Sequence, residues 1–305
     1  MTLYQLTHGR VTWTNIINPN AKDIAALREQ YPYIHPLHLE DVQSRIERPK
    51  IDTDDDYLFV VMHFPKWDPV ARITRAAEVD FFVGRGYVVT LHDGQLKPLN
   101  KLFEVAEEDE QMRQRLLGKG ANHTFYVIID TLVDYIFPIL RRVDANIQAI
   151  EEQIFTERSQ RIIQEISIVR RDVLALRRIV RQQLPVIEEI ETGEHAIIHE
   201  DLEEYFGDIA DHLRKARDIL DENYEVIAGL AETADTLLNH RINDVMRILT
   251  VISFIMLPLT LISSIYGMNI ELPLDDHPMA FFIISLFMLI IAVAMLLYFR
   301  RRGWL

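Results

Sequence analysis

The 305-residue chain contains no cysteine, which excludes disulfides and thiolate metal centres. Basic residues are also in short supply: 32 Lys and Arg stand against 46 Asp and Glu, a formal charge of −14. Nucleic-acid binding requires basic patches, so this balance argues against that partner class. Residues 1–9 lack the basic start and apolar run of a secretory signal, and none is expected. No phosphate-binding glycine loop, catalytic triad or acid–base pair stands out, which argues against an enzyme. Two further absences are local. No proline lies between Val186 and Pro258, and no charge lies between Ile248 and Ile270. The first permits one very long helix, and the second is long enough for a helix to cross a bilayer core.

That uncharged run carries a pattern. Asn243, Met246, Leu249, Ser253, Leu257, Thr260 and Ser264 recur every three or four residues, on one helical face. Four of these are polar, and polar groups within a membrane span usually face a bundle interior or water. A stripe of small polar residues also suits a helix–helix interface. A second uncharged run, Met279 to Phe299, is apolar apart from Ser285 and ends in Arg300, Arg301 and Arg302. Those arginines mark a cytoplasmic end, and the connection before it, without Lys or Arg, is external. Two spans return the chain to its starting side, so both termini are expected in the cytoplasm. Two helices cannot enclose a channel, so pore lining requires several copies of the chain.

The remainder reads as soluble. Val11 to Ile17, Tyr57 to Phe64, Glu78 to Val83 and Tyr87 to Leu91 are strand patterns, the last two joined by a Gly84-Arg85-Gly86 turn. Ala21 to Tyr31 and Lys97 to Leu117 read as helices. His35-Pro36-Leu37-His38-Leu39-Glu40-Asp41 is ordinary helix-start chemistry on its own. The acids at 52 and 54–56 lack the glycine and closing glutamate of a calcium loop and read as a solvated turn. An amphipathic helix is predicted from His123 to Ile154 and a second from about Ile162 to Ile187. The acid-rich stretch that follows, without Lys or Arg, is either solvated surface or a cation-attracting patch. His195 and His199 lack a third zinc ligand, and Asn122-His123-Thr124 lacks the secretory context of a glycan acceptor. From Phe206 to Leu237 apolar residues alternate steps of three and four, with Asn223 as the one buried polar candidate. One helix from about Ile197 to Tyr266 is predicted.

The first span ends in Tyr266-Gly267-Met268-Asn269. With Pro258 to Asn269 (PLTLISSIYGMN), His35 to Val42 (HPLHLEDV), Glu47 to Asp52 (ERPKID), Glu204 to His212 (EYFGDIADH) and the terminal YFRRRGWL, the chain resembles the CorA family of magnesium channels. The resemblance covers most of the chain. It implies an α+β membrane protein with an N-terminal cytoplasmic α/β domain (1–120), a helical hairpin and long stalk helix (121–245) and two transmembrane helices (246–305). It further implies a homopentamer in the inner (plasma) membrane. Gly267, Met268 and Asn269 would be the selectivity filter, the stripe would line the pore, and Mg2+ would be both cargo and regulator. Magnesium keeps its waters, and amide oxygens can accept their hydrogen bonds without stripping them. Met246, Leu249 and Leu257 would form a dry constriction. By resemblance, Asp41 with Asp208, and Glu40 with Asp130, fall where cation ligands lie between subunits. Zinc-transporting relatives share the architecture, so Zn2+, Co2+ and Ni2+ stay open as ions, as does a non-conducting scaffold or sensor. The absence of His and Cys from the stripe leans towards Mg2+.

Overall fold

A computed structural model describes residues 3–43, 47–155, 159–193, 195, 197–198, 202–268 and 278–304. They fall into two compact units, 1–231 and 232–305. In the first, strands β1 (Leu3–His8), β2 (Val11–Ile17), β3 (Lys50–Thr53), β4 (Tyr57–Asp68), β5 (Ile73–Gly84) and β6 (Tyr87–His92) form one sheet. Its order is β1-β2-β6-β5-β4-β3, with β2 and β6 parallel and the other pairs antiparallel. Tyr57 through Met62 are fully buried, because both faces of the central strands are covered. Helices α1 (Ala21–Gln30) and α2 (Pro36–Asp41) cover the face bearing Phe59, Val61, Phe82 and Leu91. Alternate residues point the other way. Trp13 meets Phe103 of α3 (Lys97–Glu108) edge-on at 4.9 Å, and Phe81 meets Phe125 of α5 (Ala121–Asp134) at 5.3 Å. The β5–β6 turn is the expected one. Gly86 adopts φ +91°, and a Cβ there would stand 2.8 Å from the Arg10 carbonyl, so only glycine fits.

The predicted helix starts are well supported. His35 caps α2 with Pro36 at its first position, and Asn20 with Asp23 forms a capping box on α1. Two predicted helices are each divided. Lys97 to Leu117 breaks at Asp109, whose carboxylate accepts the Gln111 N–H at 2.8 Å and starts α4 (Glu110–Leu117). His123 to Ile154 breaks at Tyr135 between α5 and α6 (Ile136–Gln153). Pro138 has no N–H for the Asp134 carbonyl, which interrupts the ladder there. Helix α7 (Ser159–Thr192) outruns its predicted limits and carries Pro185 internally. The long helix α8 (Glu203–Tyr266) starts six residues later than predicted and belongs to both units. Helix α9 (Ala280–Arg301) completes the described chain.

Among the described residues, three helical stretches are long and apolar enough to cross a membrane: Ala121–Gln153, Glu203–Tyr266 and Ala280–Arg301. Burial separates them. Half of the first window is buried against the first unit, whereas only 6% of the second and none of the third are. The first is therefore a core helix, and the other two meet the requirements of a membrane span.

Within the first unit α8 buries Phe206, Ile209, Leu213, Ala216, Leu220 and Ile227. Asn223 is buried among them and donates to Asp144 of α6 at 2.6 Å, so the polar member of the seam has its partner. Asp172 of α7 is also buried. It accepts the Thr74 N–H of β5 and pairs at 3.2 Å with Arg142 of α6, whose guanidinium stacks over Trp67 at 3.5 Å.

Removing one partner of such a pair leaves the other desolvated. Asp172→Ala should destabilise the first unit by roughly 3–5 kcal/mol, read as a lowered thermal midpoint of the detergent-solubilised chain. His92 gives a pH prediction. Burial pushes its imidazole down to about 4, and it is held neutral between the Gly94 N–H and Asn15 Oδ1. Its folded pKa lies below the unfolded value of about 6.5, so protons favour the unfolded chain. The stability it contributes is complete above pH 6.5 and is lost as pH falls towards 4, by up to about 3 kcal/mol. His92→Gln should flatten the thermal midpoint across that pH window.

Candidate ion pathway and cation sites

In the second unit, α8 is covered on one side only. Val251 is buried at 2% exposure, and Ile255, Pro258, Leu259 and Ile262 are half-buried. On α9 the half-buried residues are Ala280, Ile284, Met288, Ile291, Ala292, Met295 and Phe299. Both rows follow helical spacing, as two packed helices require. At about 100° per residue, the covered row of α8 lies roughly 180° from the stripe Asn243, Met246, Leu249, Ser253, Leu257, Thr260 and Ser264. Every stripe residue is exposed; Met246 and Leu249 stand at 55% and Leu257 at 70%. Apolar Ile252, Phe254 and Leu261 are exposed as well, so exposure alone does not mark the stripe. Polarity does. Every Ser and Thr of α8 between 248 and 265 lies within a roughly 140° arc centred near the stripe, Thr250 and Ser263 flanking it.

Three of these hydroxyls have a defined polarity. Thr250, Ser253 and Thr260 donate to the carbonyls of Met246, Leu249 and Met256 at 2.7, 2.9 and 2.8 Å. Their protons are committed along the helix, which leaves oxygen lone pairs facing outwards. At the helix end Gly267 and Met268 donate to the carbonyls of Ser263 and Ile265. Both are exposed, and a Cβ on Gly267 would stand 3.2 Å from the Ser263 carbonyl. Asn269 lies outside the described residues.

The four acids named as cation ligands separate into two places. Glu40 and Asp41 end α2. Glu40 is exposed, while Asp41 pairs with Lys50 at 2.7 Å, and the same Lys50 reaches Asp52 at 2.9 Å. Asp130 of α5 and Asp208 of α8 sit near each other, with two groups that sequence reasoning missed. Asp134 is one turn from Asp130, and His212 is one turn from Asp208. Ligand atoms of Asp130, Asp134 and His212 lie within 4.8 Å of one another. His212 stands 3.5 Å from Asp134 and 3.9 Å from Asp208. Partial burial and then the Asp134 charge raise the Asp130 carboxyl above the ordinary range, His212 opposing and Asp208 adding. The i, i+4 spacings of Asp130 with Asp134 and Asp208 with His212 were the available signal.

The remaining sequence candidates resolve into structural roles. His195 contacts Thr53 Oγ1 at 3.1 Å and the Glu189 carbonyl at 2.9 Å; His199 lies outside the described residues. Asn122 is buried and donates to the Ile197 carbonyl, which rules it out as a glycan acceptor in the folded chain. Part of the acid-rich stretch is neutralised locally, since Arg214 reaches Glu188 at 2.8 Å and Glu191 at 3.9 Å.

Comparison with known proteins agrees with this architecture. The family model described as CorA-like Mg2+ transporter protein matches residues 8–301. The chain is 31% identical to YfjQ of Bacillus subtilis (strain 168) over 96% of its length and 89% of the relative's. It is 27% identical to the cobalt/magnesium transport protein CorA of Thermotoga maritima over 96% of this chain and 83% of that one. The complete structure of the CorA magnesium transporter from Methanocaldococcus jannaschii superposes with a TM-score of 0.84 at 19% identity, covering 98% of this chain and 94% of that one. With its soluble α/β domain, long helix and apolar C-terminal helices in that order, the chain belongs to the CorA-like Mg2+ transporter family.

Proposed function

We propose that this chain is a subunit of a homo-oligomeric channel that carries Mg2+ across the inner (plasma) membrane, with both termini cytoplasmic. The family's sequence pattern implies five subunits. The observation that carries the reading is the two-sided α8: α9 covers the apolar side, and the polar stripe opposite is left for copies of itself. Copies of α8 placed about an axis would turn Asn243, Ser253, Thr260 and Ser264 inwards, with Met246, Leu249 and Leu257 as a dry gate. The α9 helices would then face lipid. Gly267, Met268 and Asn269 would form the ring at the outer mouth, where neutral oxygens accept hydrogen bonds from the waters that Mg2+ retains. In this reading the chain has a cytoplasmic domain (1–120), a stalk (121–245) and a membrane part (246–305).

Regulation by cytoplasmic Mg2+ would act between subunits. Carboxylates meeting across a subunit boundary repel, and a divalent ion turns that repulsion into attraction, biasing the ring towards closure. Asp41 with Asp208, and Glu40 with Asp130, are the pairs assigned. Two features of the geometry bear on this. Lys50 already neutralises Asp41, so an arriving cation competes with it. Asp130 and Asp208 sit among Asp134 and His212, so the acid excess lies on the α5–α8 side.

Two outcomes are expected. Purified chain in liposomes should pass Mg2+, with Co2+ and Ni2+ as surrogates of similar hydration, and Asn269→Ala should reduce that flux to background without loss of assembly. Normal flux in the variant would remove the filter assignment, and Zn2+ flux above Mg2+ flux would make this a zinc transporter of the same architecture. Separately, the double variant Asp41→Asn, Asp208→Asn should stay conducting at millimolar internal Mg2+, where wild type closes. Closure of both at the same concentration would remove those two acids from regulation.

A further inference from the structure

A cavity of about 570 Å3 opens on the α1–α2 face of the sheet, lined in part by Asn18, His63, Glu78, Asp80, His92 and Asp93. Asp80 is the anomaly in it. It stands at 5% exposure in the middle of β5, with Val61 and Leu91 as its strand neighbours, and its Oδ1 has no hydrogen-bond partner. A buried carboxylate without a partner is costly, and the neighbouring groups make it more so. Burial first, then the charges of Glu78, Asp41 and Glu47, push its carboxyl well above the ordinary range, with Lys50 opposing from a distance.

Several of the other polar groups lining the cavity are already engaged. Asp93 pairs with Lys66 at 3.1 Å and accepts the Gln95 N–H. His92 uses both ring nitrogens, on Gly94 and Asn15. His63 Nε2 faces Glu78 Oε2 at 3.3 Å, and that oxygen also takes the Glu47 N–H at 2.7 Å. The donors left for a ligand are carboxylate oxygens of Asp80 and Glu78, two residues apart on one face of β5. With both ring nitrogens of His92 and the Nε2 of His63 engaged, a set led by carboxylate oxygens suits a hard, oxygen-seeking cation. Two carboxylates cannot fill an octahedral shell, which suits an ion that keeps most of its waters.

We infer that this cavity binds a hydrated divalent cation of the Mg2+ class, held through its waters by Asp80 and Glu78. The site lies wholly within the first unit and its donors are none of the four acids assigned to regulation, although the charge of one of them, Asp41, reaches Asp80; it does not depend on transport. Protonation of Asp80 would remove the charge without giving Oδ1 a partner. A water of the ion's shell supplies that hydrogen bond while the ion offsets the charge.

The test is calorimetric titration of Mg2+ into full-length chain in detergent. The background carries Asp41→Asn, Asp208→Asn, Glu40→Gln and Asp130→Asn, with folding verified by circular dichroism. One equivalent of Mg2+ per chain should bind to this background and disappear when Asp80→Asn is added. Glu78→Gln should weaken binding by roughly 10–100-fold while leaving the stoichiometry. Asp80→Asn keeps the side chain's shape and removes its charge, so in Mg2+-free buffer it should melt at or above the temperature of its parent. The same loss of one equivalent should appear when Asp80→Asn is made in the otherwise unaltered chain. Unchanged binding after Asp80→Asn, or no binding by the background, overturns the site. Raised stability with unchanged Mg2+ binding would mean a buried proton and also overturns it.

Discussion

Hydrocarbon offers no hydrogen bonds, and this governs how α8 is built. Over its apolar part each backbone group must find its partner within the helix, so irregularities are confined to places where they can be absorbed. Pro258 is one; it removes the donor for the Phe254 carbonyl without ending the helix. The back-bonded Thr250, Ser253 and Thr260 show the same economy, their protons returning to the helix that carries them. In the first unit the same helix is stabilised differently, by packing Leu213 and Leu220 and by satisfying Asn223 from Asp144. One continuous backbone thus serves two solvents, and only the side chains change.

The charge distribution follows a related rule. An excess of acid could have been spread evenly over the surface, but the first unit uses arginines as internal ties. Arg142 joins α6 to α7, Arg177 joins α7 to Asp221 of α8, and Arg214 joins α8 back to Glu188 of α7. Two groups of acids stand apart from these ties, Asp130 with its neighbours and, beneath α1, Asp80 with Glu78. Both places combine like charges with partial or complete burial, where cation binding has the largest effect on local free energy.

Elements with a strong period were legible in the sequence. The α8 seam was predicted down to its buried asparagine, and both apolar helices appeared at the expected places. The β5–β6 hairpin was fixed by its glycines. Strands β1 and β3 were not recognised, because Leu3–His8 has one exposed edge and a polar composition, and Lys50–Thr53 is four residues long. The helix breaks at Asp109 and Tyr135 depend on a capping side chain and a proline three residues on, which periodicity does not register. The exposed face that carries the stripe was readable because its spacing is local. Asp134 and His212 were not, since their significance arises only when α5 and α8 pack, and Asp80 looked like one more acid until its burial was known.

The inward commitment of the α8 hydroxyls has a consequence for the sign of the ion. A serine or threonine free to rotate can solvate either charge, turning its proton to an anion or its oxygen to a cation. Once the proton is held by a carbonyl one turn back, only the oxygen remains on offer. Repeated along one arc of the helix, this makes a surface without formal charge that welcomes the hydrogens of a cation's water and gives chloride nothing to bind. If the arc lines the pathway as proposed, discrimination by sign would be written into the helix ladder itself and would survive changes of pH and ionic strength that weaken a ring of carboxylates.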